Sequence, residues 1–535
     1  MSFHTLISDH LHPAGWDLLR ADPEITTTSG PFTSRAQVLA ALPAADALII
    51  RSSTLVNKEL LNAAPRLKII ARAGARLDNV DLDAATRRGI LVLNAPDANL
   101  FAVAEHTCAL LLALARHIPQ GHNAVHAGRW PRHDMLGFQL HGKILGILGF
   151  GRLGREIATR AQAFGMTVLA YDPYADLSFA RERGVEITGF PELLARADVL
   201  VLATIPKLQD PPLLNAEAFK GIKPGAYLLN AAEAGLVDER ALLEALDGGT
   251  LAGAALDVFD QEPPPAGDRL STHPRVIATP HLNQNTVESQ AITSIQIVHD
   301  VLDALRGRDY RNVVNLPFND RAPYTSVKPS LHLAGCLGKL LGQTAGGWIT
   351  RVEVELLGEG LRDLVRPVTA VLLSGMIRPK NGTPANWVNA PVLAHEQGIV
   401  TAQAKHLLDL PDYSNALVCR VIWVGDAASP GERTVAGVLF ANGEARVVHY
   451  GGFSIDALPD GYVLILENDD VPGVIGKVGT RLGRAGINIA NWRYGREMHG
   501  GRALSFISLD SRAPKELLRE LEREPEILRA QLVRL

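Results

Sequence analysis

The stretch Gly149-Phe150-Gly151-Arg152-Leu153-Gly154 carries the plainest chemistry in this 535-residue chain. It follows an apolar run, Lys143–Leu148, and opens a helical pattern. In such a loop the first glycine permits a tight turn and the second lets a pyrophosphate approach the backbone. The third lets helix and strand pack closely. The helix N-terminus behind the loop offers free N–H groups to phosphates. Asp172 lies 18 residues beyond Gly154, at the end of the next apolar run, Thr167–Tyr171. Its carboxylate can accept hydrogen bonds from ribose hydroxyls and would repel a 2′-phosphate, so the cofactor expected is NAD rather than NADP. A glycine fingerprint alone also fits a structural βα turn; the preceding strand, the following helix and the spaced acid are what narrow it.

Three further polar residues follow predicted strands. Glu233 comes after Tyr227–Ala231, Glu262 after Leu251–Val258, and His281 after Arg275–Ala278. Parallel sheets bind ligands at the carboxyl ends of their strands, so these side chains can meet at one cleft. His281 suits a general base that takes a hydroxyl proton. A carboxylate such as Glu262 would fix its tautomer and stabilise the imidazolium. A lone histidine after a strand is also often structural; the Pro280-His281 context and the nearby acid favour the catalytic reading.

The elements that must position these groups alternate β and α. Strands are expected at His4–Ser8, Ala47–Arg51, Leu67–Ala71 and Ile90–Asn94, then a long apolar helix over Asn99–Ile118. After the glycine-rich unit, which includes a strand at Val199–Ala203, a helix over Val287–Arg306 leads to a short strand, Asn312–Asn315. Asn319–Lys328 reads as a polar linker. Beyond it a second α/β unit includes strands Arg351–Leu356 and Val418–Trp423. From about Asp460 the order strand, helix, strand, strand, helix, strand is that of a small ferredoxin-like domain. The fold class expected is α/β: two Rossmann or flavodoxin-like domains with parallel sheets, an α/β intervening domain and a ferredoxin-like terminal domain. The domains read as 1–98 with 286–316, 99–285, 317–457 and 458–535.

Hydrophobic residues make up 47% and charged residues 21%, the balance of a globular chain, with length for several domains. A net charge of -4 argues against nucleic acid as partner, which needs a clustered basic surface. Three dispersed cysteines, Cys108, Cys336 and Cys419, suggest neither a disulfide framework nor a metal site. No signal peptide is legible at the start, and no apolar run reaches the roughly 18 residues that span a bilayer. A cytoplasmic enzyme is therefore expected, with no membrane partner.

Several stretches give this reading a family. RAGARLDNVDLDAATRRGILVLNAPDAN, LGILGFGRLGREIA, LAGAALDVFDQEPPP and ATPHL resemble the D-2-hydroxyacid dehydrogenases. VNAPVLAHEQGI and DDVPGVIGKVGTRLGRAGINIANWRYGRE resemble the intervening and ACT domains of the long-form phosphoglycerate dehydrogenase branch, and the similarity covers essentially the whole chain. The resemblance implies oxidation of D-3-phosphoglycerate to 3-phosphohydroxypyruvate with NAD, the first step of serine synthesis, by a homodimer or homotetramer. It assigns His281 and Glu262 to catalysis, and Gly149, Gly151, Arg152, Leu153, Gly154, Asp172 and Asp257 to the cofactor. Arg51, Ser53, Ala75, Arg76 and Asn99 fall on the substrate side. Asp470 and Asn488 match positions that bind an amino-acid effector; Asp470, ahead of Pro472-Gly473, is equally placed to cap a helix.

The departures are concentrated. The family's Asn-Cys-Ala-Arg-Gly-Gly is here Asn230-Ala231-Ala232-Glu233-Ala234-Gly235, so a catalytic arginine has become Glu233. A planar, permanently charged bidentate donor is replaced by an acceptor of opposite sign. The family's Gly-Val-Gly-Val-Asp is Gly74-Ala75-Arg76-Leu77-Asp78, and its His-Leu-Gly-Ala-Ser-Thr is His281-Leu282-Asn283-Gln284-Asn285-Thr286. A His-Leu-Pro equivalent falls around Ala203-Thr204-Ile205-Pro206. The pattern reads as a retuned substrate site. Arg76 could restore the lost positive charge or pair with Glu233; alternatively Glu233 receives a cationic or amine-bearing substrate, or the chain is a lapsed NAD- or amino-acid-binding sensor. Arg76 and Glu233 facing solvent is the plain alternative.

Overall fold

A computed structural model describes every residue except Met1, Pro31, Asp97, 206–210, 317–323, 378–383, 426–429 and Ala441. The chain divides into two compact units, one of residues 1–11, 16–94 and 297–535, the other of 12–15 and 95–296.

The first unit begins with a five-stranded parallel sheet of β1 (Phe3–Ile7), β2 (Ile25–Ser29), β3 (Ala47–Ile50), β4 (Ile69–Arg72) and β5 (Leu91–Leu93), in the order β2-β1-β3-β4-β5. Every residue of β3 and β4 is buried, as expected when helices cover both faces of a parallel sheet. Leu48 and Ile50 point to one core, Ile49 and Ile69 to the other, the strict alternation of a strand. Ile297, Val298 and Val301, late in the Val287–Leu305 helix, complete that second core. The edge strand β2 was not expected from sequence. Its Ile-Thr-Thr-Thr-Ser run is β-branched but mostly solvent-facing, so no apolar pattern marks it. The strand expected at Asn312–Asn315 is reduced to one antiparallel bridge, Leu93 to Val313. Asn312 is left-handed, at φ 58°, which a continuing strand cannot hold.

The second unit holds seven parallel strands: β6 (Ile144–Leu148), β7 (Thr167–Tyr171), β8 (Glu186–Ile187), β9 (Val199–Leu202), β10 (Ala226–Asn230), β11 (Leu251–Leu256) and β12 (Val276–Ala278). Their order, β12-β11-β10-β9-β6-β7-β8, reverses between β6 and β9. That reversal opens a crevice at the strands' carboxyl ends, where doubly wound sheets bind ligands. The expected Asn99–Ile118 helix is two helices, Leu100–Ala115 and Ile118–His126. His117 is left-handed, at φ 51°, and Pro119 begins the second helix.

The rest of the first unit contains a six-stranded sheet of β13 (Trp348–Leu357), β14 (Val400–Gln403), β15 (Ala416–Val424), β16 (Pro430–Leu439), β17 (Ala445–Tyr450) and β18 (Phe453–Ala457). The expected linker to Lys328 ends sooner: a helix already begins at Tyr324, and 319–323 lie outside the described residues. That helix packs against Val365–Met376 at backbone distance. A Cβ on Gly338 would stand 2.2 Å from the Leu372 carbonyl oxygen. Last come β19 (Tyr462–Asp469), β20 (Ile489–Arg496), β21 (Arg502–Leu509) and β22 (Ile527–Arg534), with helices Val474–Arg484 and Lys515–Leu521. The antiparallel order β20-β21-β19-β22 is the ferredoxin-like arrangement expected from sequence. One face of this sheet covers its two helices; the other, through Val463, Ile465 and Phe506, shares the core of the six-stranded sheet.

Candidate active site

The glycine loop leaves β6 at the crevice where strand order reverses. Gly149 is left-handed, at φ 102°, and a Cβ there would stand 2.7 Å from the Ala203 carbonyl oxygen beyond β9. A Cβ on Gly154 would lie 2.1 Å from the Gly149 carbonyl oxygen, so the helix packs against the loop only because this residue is glycine. Gly151, the N-cap of Arg152–Ala163, instead faces open space. Two glycines thus serve the fold, and the third keeps room for a ligand at the N–H groups that begin with Arg152 and Leu153. Asp172 follows β7. Its carboxylate accepts from the backbone N–H of Phe150 at 2.9 Å and of Tyr174 at 2.8 Å, so it braces the loop. These residues fit a dinucleotide.

His281 stands beyond β12 with its Nδ1 2.7 Å from Glu262 Oε2. The other carboxylate oxygen accepts from the Phe259 N–H at 3.1 Å, which holds the acid in place. A proton on Nδ1 shared with Glu262 leaves Nε2 as the proton acceptor, the tautomer a general base requires. His281 is itself left-handed, at φ 53°, unusual for a histidine and held only by what surrounds it.

What surrounds it is Asp257. This fully buried residue follows β11. Its carboxylate accepts from the Leu282 N–H at 2.8 Å, the Asn283 N–H at 2.9 Å and the Thr279 hydroxyl at 2.6 Å, and lies 3.1 Å from His106 Nε2. Its carbonyl accepts from the His281 N–H at 3.0 Å. Burial opposes ionisation of Asp257, but His106, Thr279 and the Leu282 amide outweigh it and hold the carboxyl below its ordinary value. Asp257, carried from the resemblance as a cofactor residue, is thus enclosed by protein and acts on the site by clamping the loop that carries His281. The roles of His106, Thr279, Asn230 and Asn283 in this network were missed from sequence, although all but His106 stand in motifs quoted there. His106 sits between Glu105 and Thr107 in an otherwise apolar helix, which carries no signal of its partner.

Glu233 sits half-buried on the turn after β10. Asn230, buried, shapes that turn: its Nδ2 donates to the Glu233 carbonyl at 2.9 Å and its Oδ1 accepts from the Ala232 N–H at 3.2 Å. The Asn99 amide donates to Gln284 Oε1 at 2.9 Å. Asn230 thus fixes the turn that carries Glu233, and Asn99 meets Gln284, three residues beyond His281.

The first unit places the remaining substrate-side residues on two loops. Asp9, missed from sequence, accepts from the Arg51 N–H at 2.5 Å and the Ser53 hydroxyl at 2.6 Å. Asn79 Nδ2 donates to the Arg51 carbonyl at 2.6 Å, and Asn94 Nδ2 to the Ala75 carbonyl at 2.6 Å. Arg76 lies 3.3 Å and the buried Arg72 2.6 Å from Asp78. Burial works against the ionised Asp78, and the two arginines reverse this, holding it below its ordinary value. Pro206, in the His-Leu-Pro equivalent, lies outside the described residues.

In the terminal domain Asp470 accepts from the Tyr494 hydroxyl at 3.0 Å and the Gly500 N–H at 3.2 Å, and these donors hold its carboxyl below the ordinary value. It does not cap the helix; Gly473 is the N-cap, with no side-chain hydrogen bond. Asn488 instead donates to Asp510 at 2.6 Å. All three cysteines are free and buried. Among the described residues no group of three His, Cys, Asp or Glu could hold a metal, and no single helix is long and apolar enough to cross a membrane.

Fold and cradle define an NAD-binding D-2-hydroxyacid dehydrogenase. Residues 108–283 match the D-isomer-specific 2-hydroxyacid dehydrogenase NAD-binding domain, and 326–450 match the D-3-phosphoglycerate dehydrogenase intervening domain. The chain is 39% identical to the D-3-phosphoglycerate dehydrogenase of Bacillus subtilis, over 91% of this chain and 92% of that one. It is 36% identical to that of Synechocystis, over 99% and 94%. Among solved structures, D-lactate dehydrogenase from Aquifex aeolicus complexed with NAD and lactic acid matches with TM-score 0.50 at 28% identity, covering 57% of this chain and 96% of that one. The chain belongs to the D-3-phosphoglycerate dehydrogenase family, and it is an NAD-dependent oxidoreductase.

Proposed function

We propose that this enzyme oxidises D-3-phosphoglycerate or a closely related phosphorylated 2-hydroxy acid, in a substrate site retuned around Glu233. The observation that carries the reading is the His281–Glu262 pair at 2.7 Å, in the same unit as an intact dinucleotide cradle. NAD, when bound, supplies the hydride acceptor. His281 Nε2 takes the hydroxyl proton as the carbon–hydrogen bond breaks, and Glu262 stabilises the imidazolium. Asp257 keeps the base in position. Arg51 and Arg76 bind the anionic groups of the substrate, a task suited to guanidinium forks. The protein works in the cytoplasm as a homodimer or homotetramer, and an amino acid such as serine binds near Asp470 and Asn488 as effector.

A second reading is favoured by Glu233 itself. A half-buried acid on a turn fixed by Asn230 suits a substrate that carries an amine. The deciding experiment is NADH formation from NAD and D-3-phosphoglycerate by the native protein and Glu233→Arg. Ordinary turnover by the native protein supports the first reading. Silence, with activity gained in the variant, identifies Glu233 as the block and directs the search to amine-bearing hydroxy acids. Absence of turnover on every 2-hydroxy acid tried would leave a sensor that binds NAD or an amino acid.

A further inference from the structure

Two of the departures named above touch through one hydrogen bond. Asn283 is 5% exposed, and its Nδ2 donates to the Ala231 carbonyl at 2.8 Å. Ala231 lies two residues before Glu233, in the same turn. The backbone N–H of Asn283 is meanwhile held by Asp257 Oδ2, the carboxylate that also fixes Leu282 beside His281. The Asp257 N–H donates to the Asn230 carbonyl at 2.9 Å, and the Asn230 side chain grips the Glu233 carbonyl. The loop of the base and the turn of the acid are therefore tied into one buried network.

The direction of the Asn283 amide is dictated by chemistry. A carbonyl oxygen can only accept, so Nδ2 must face Ala231. Oδ1 is then left buried with no hydrogen-bond partner. An unpaired buried acceptor is unfavourable, and a smaller residue at 283 would not carry it. What asparagine supplies at 283 is therefore the donor to the buried Ala231 carbonyl.

We propose that Asn283 is a positioning residue that sets where Glu233 stands relative to His281, and so decides which 2-hydroxy acids the enzyme prefers. The inference rests on the reading that Glu233 faces the substrate. Removing the side chain deletes one hydrogen bond and one unpaired acceptor but leaves the buried Ala231 carbonyl without its donor, so the melting temperature should fall by a few degrees.

The test is a double-mutant cycle on the full-length protein with Asn283→Ala, Glu233→Gln and the pair. Asn283→Asp is a second variant that keeps the size and loses the donor. The kinetic readout is the ratio of kcat/KM for an amine-bearing D-2-hydroxy acid to that for D-3-phosphoglycerate. The ratio should change about tenfold on Asn283→Ala or Asn283→Asp when Glu233 is present, and less than about twofold when Glu233 is already glutamine. Equal changes in both backgrounds would overturn the proposal. Hydrogen exchange supplies an arm that needs no turnover. Peptides covering 230–236 should exchange about fivefold faster in both Asn283 variants, while those covering 149–154 keep the native rate. If the native protein turns over neither substrate but exchange rises as stated, Asn283 positions the turn and the substrate reading fails. If exchange at 230–236 is unaltered, the proposal fails whatever the kinetics.

Discussion

The glycine loop after β6 and the acidic turn after β10 sit at the carboxyl ends of strands in the same sheet, yet they differ in what holds their chemistry. The loop works through backbone. Its requirements are a positive φ at Gly149, a missing Cβ at Gly154 and open space at Gly151. At Gly149 and Gly154 no other residue type meets them. The turn works through side chains mounted on a backbone that Asn230 and Asn283 hold in place. Its charge can be inverted, from arginine to Glu233, without disturbing the sheet.

The largest expected effect falls on the base. His281→Ala should lower kcat by roughly 100- to 10,000-fold. NAD affinity, read by titration calorimetry, should remain native, because the cradle is built elsewhere in the sheet. Joint loss of both would break the separation drawn here.

Asp257→Asn comes next. The amide cannot accept from both Leu282 and Asn283 and still satisfy Thr279 and His106, so the His281 loop should slip. A misplacement of about 1 Å can cost on the order of 100-fold in kcat. The pH dependence has a definite sign. A carboxyl held below its ordinary value stabilises the fold above that value and loses the contribution as pH falls through its lower folded value. The native clamp should therefore contribute no limb to a pH–rate profile between neutrality and mild alkali. A limb in that window that Asp257→Asn abolishes would contradict the assignment.

Two alanine substitutions within the loop should separate fold from ligand. Gly154→Ala drives a Cβ into the Gly149 carbonyl and should cost roughly 1–3 kcal/mol, read as a lower melting temperature. Gly151→Ala meets nothing within 4 Å and should melt as the native protein does, while binding NAD more weakly. The same melting shift for both would refute the division of labour among the glycines. The smallest effect belongs to the turn: Glu233→Gln should shift substrate preference while NAD affinity, read by titration calorimetry, stays native.

Much of the architecture was legible because parallel strands buried on both faces announce themselves as apolar runs, as in Ala47–Ile50 and Val199–Leu202. Strand β2 was not, since an edge strand of threonines has no such signature. The break at His117 was hidden because the apolar pattern continues toward Pro119. Asp9, His106 and Asn283 were illegible for a shared reason: each matters through a partner 42 or more residues away. Sequence spacing contains no record of such pairs.

By itself, then, the sequence determined the family, the NAD cofactor and the α/β fold class, and it proposed His281 with Glu262 as base and acid. These depend on residue types that a local backbone demands or that a reaction requires. Only the tertiary structure decided that Asp257 clamps the base loop, that Asp470 is bound by Tyr494 and Gly500 instead of capping a helix, and that Asn283 joins His281's loop to Glu233's turn. Those roles arise when strand ends distant in the chain are brought side by side in one sheet, and hydrogen bonds a few ångströms long form only after the sheet has assembled.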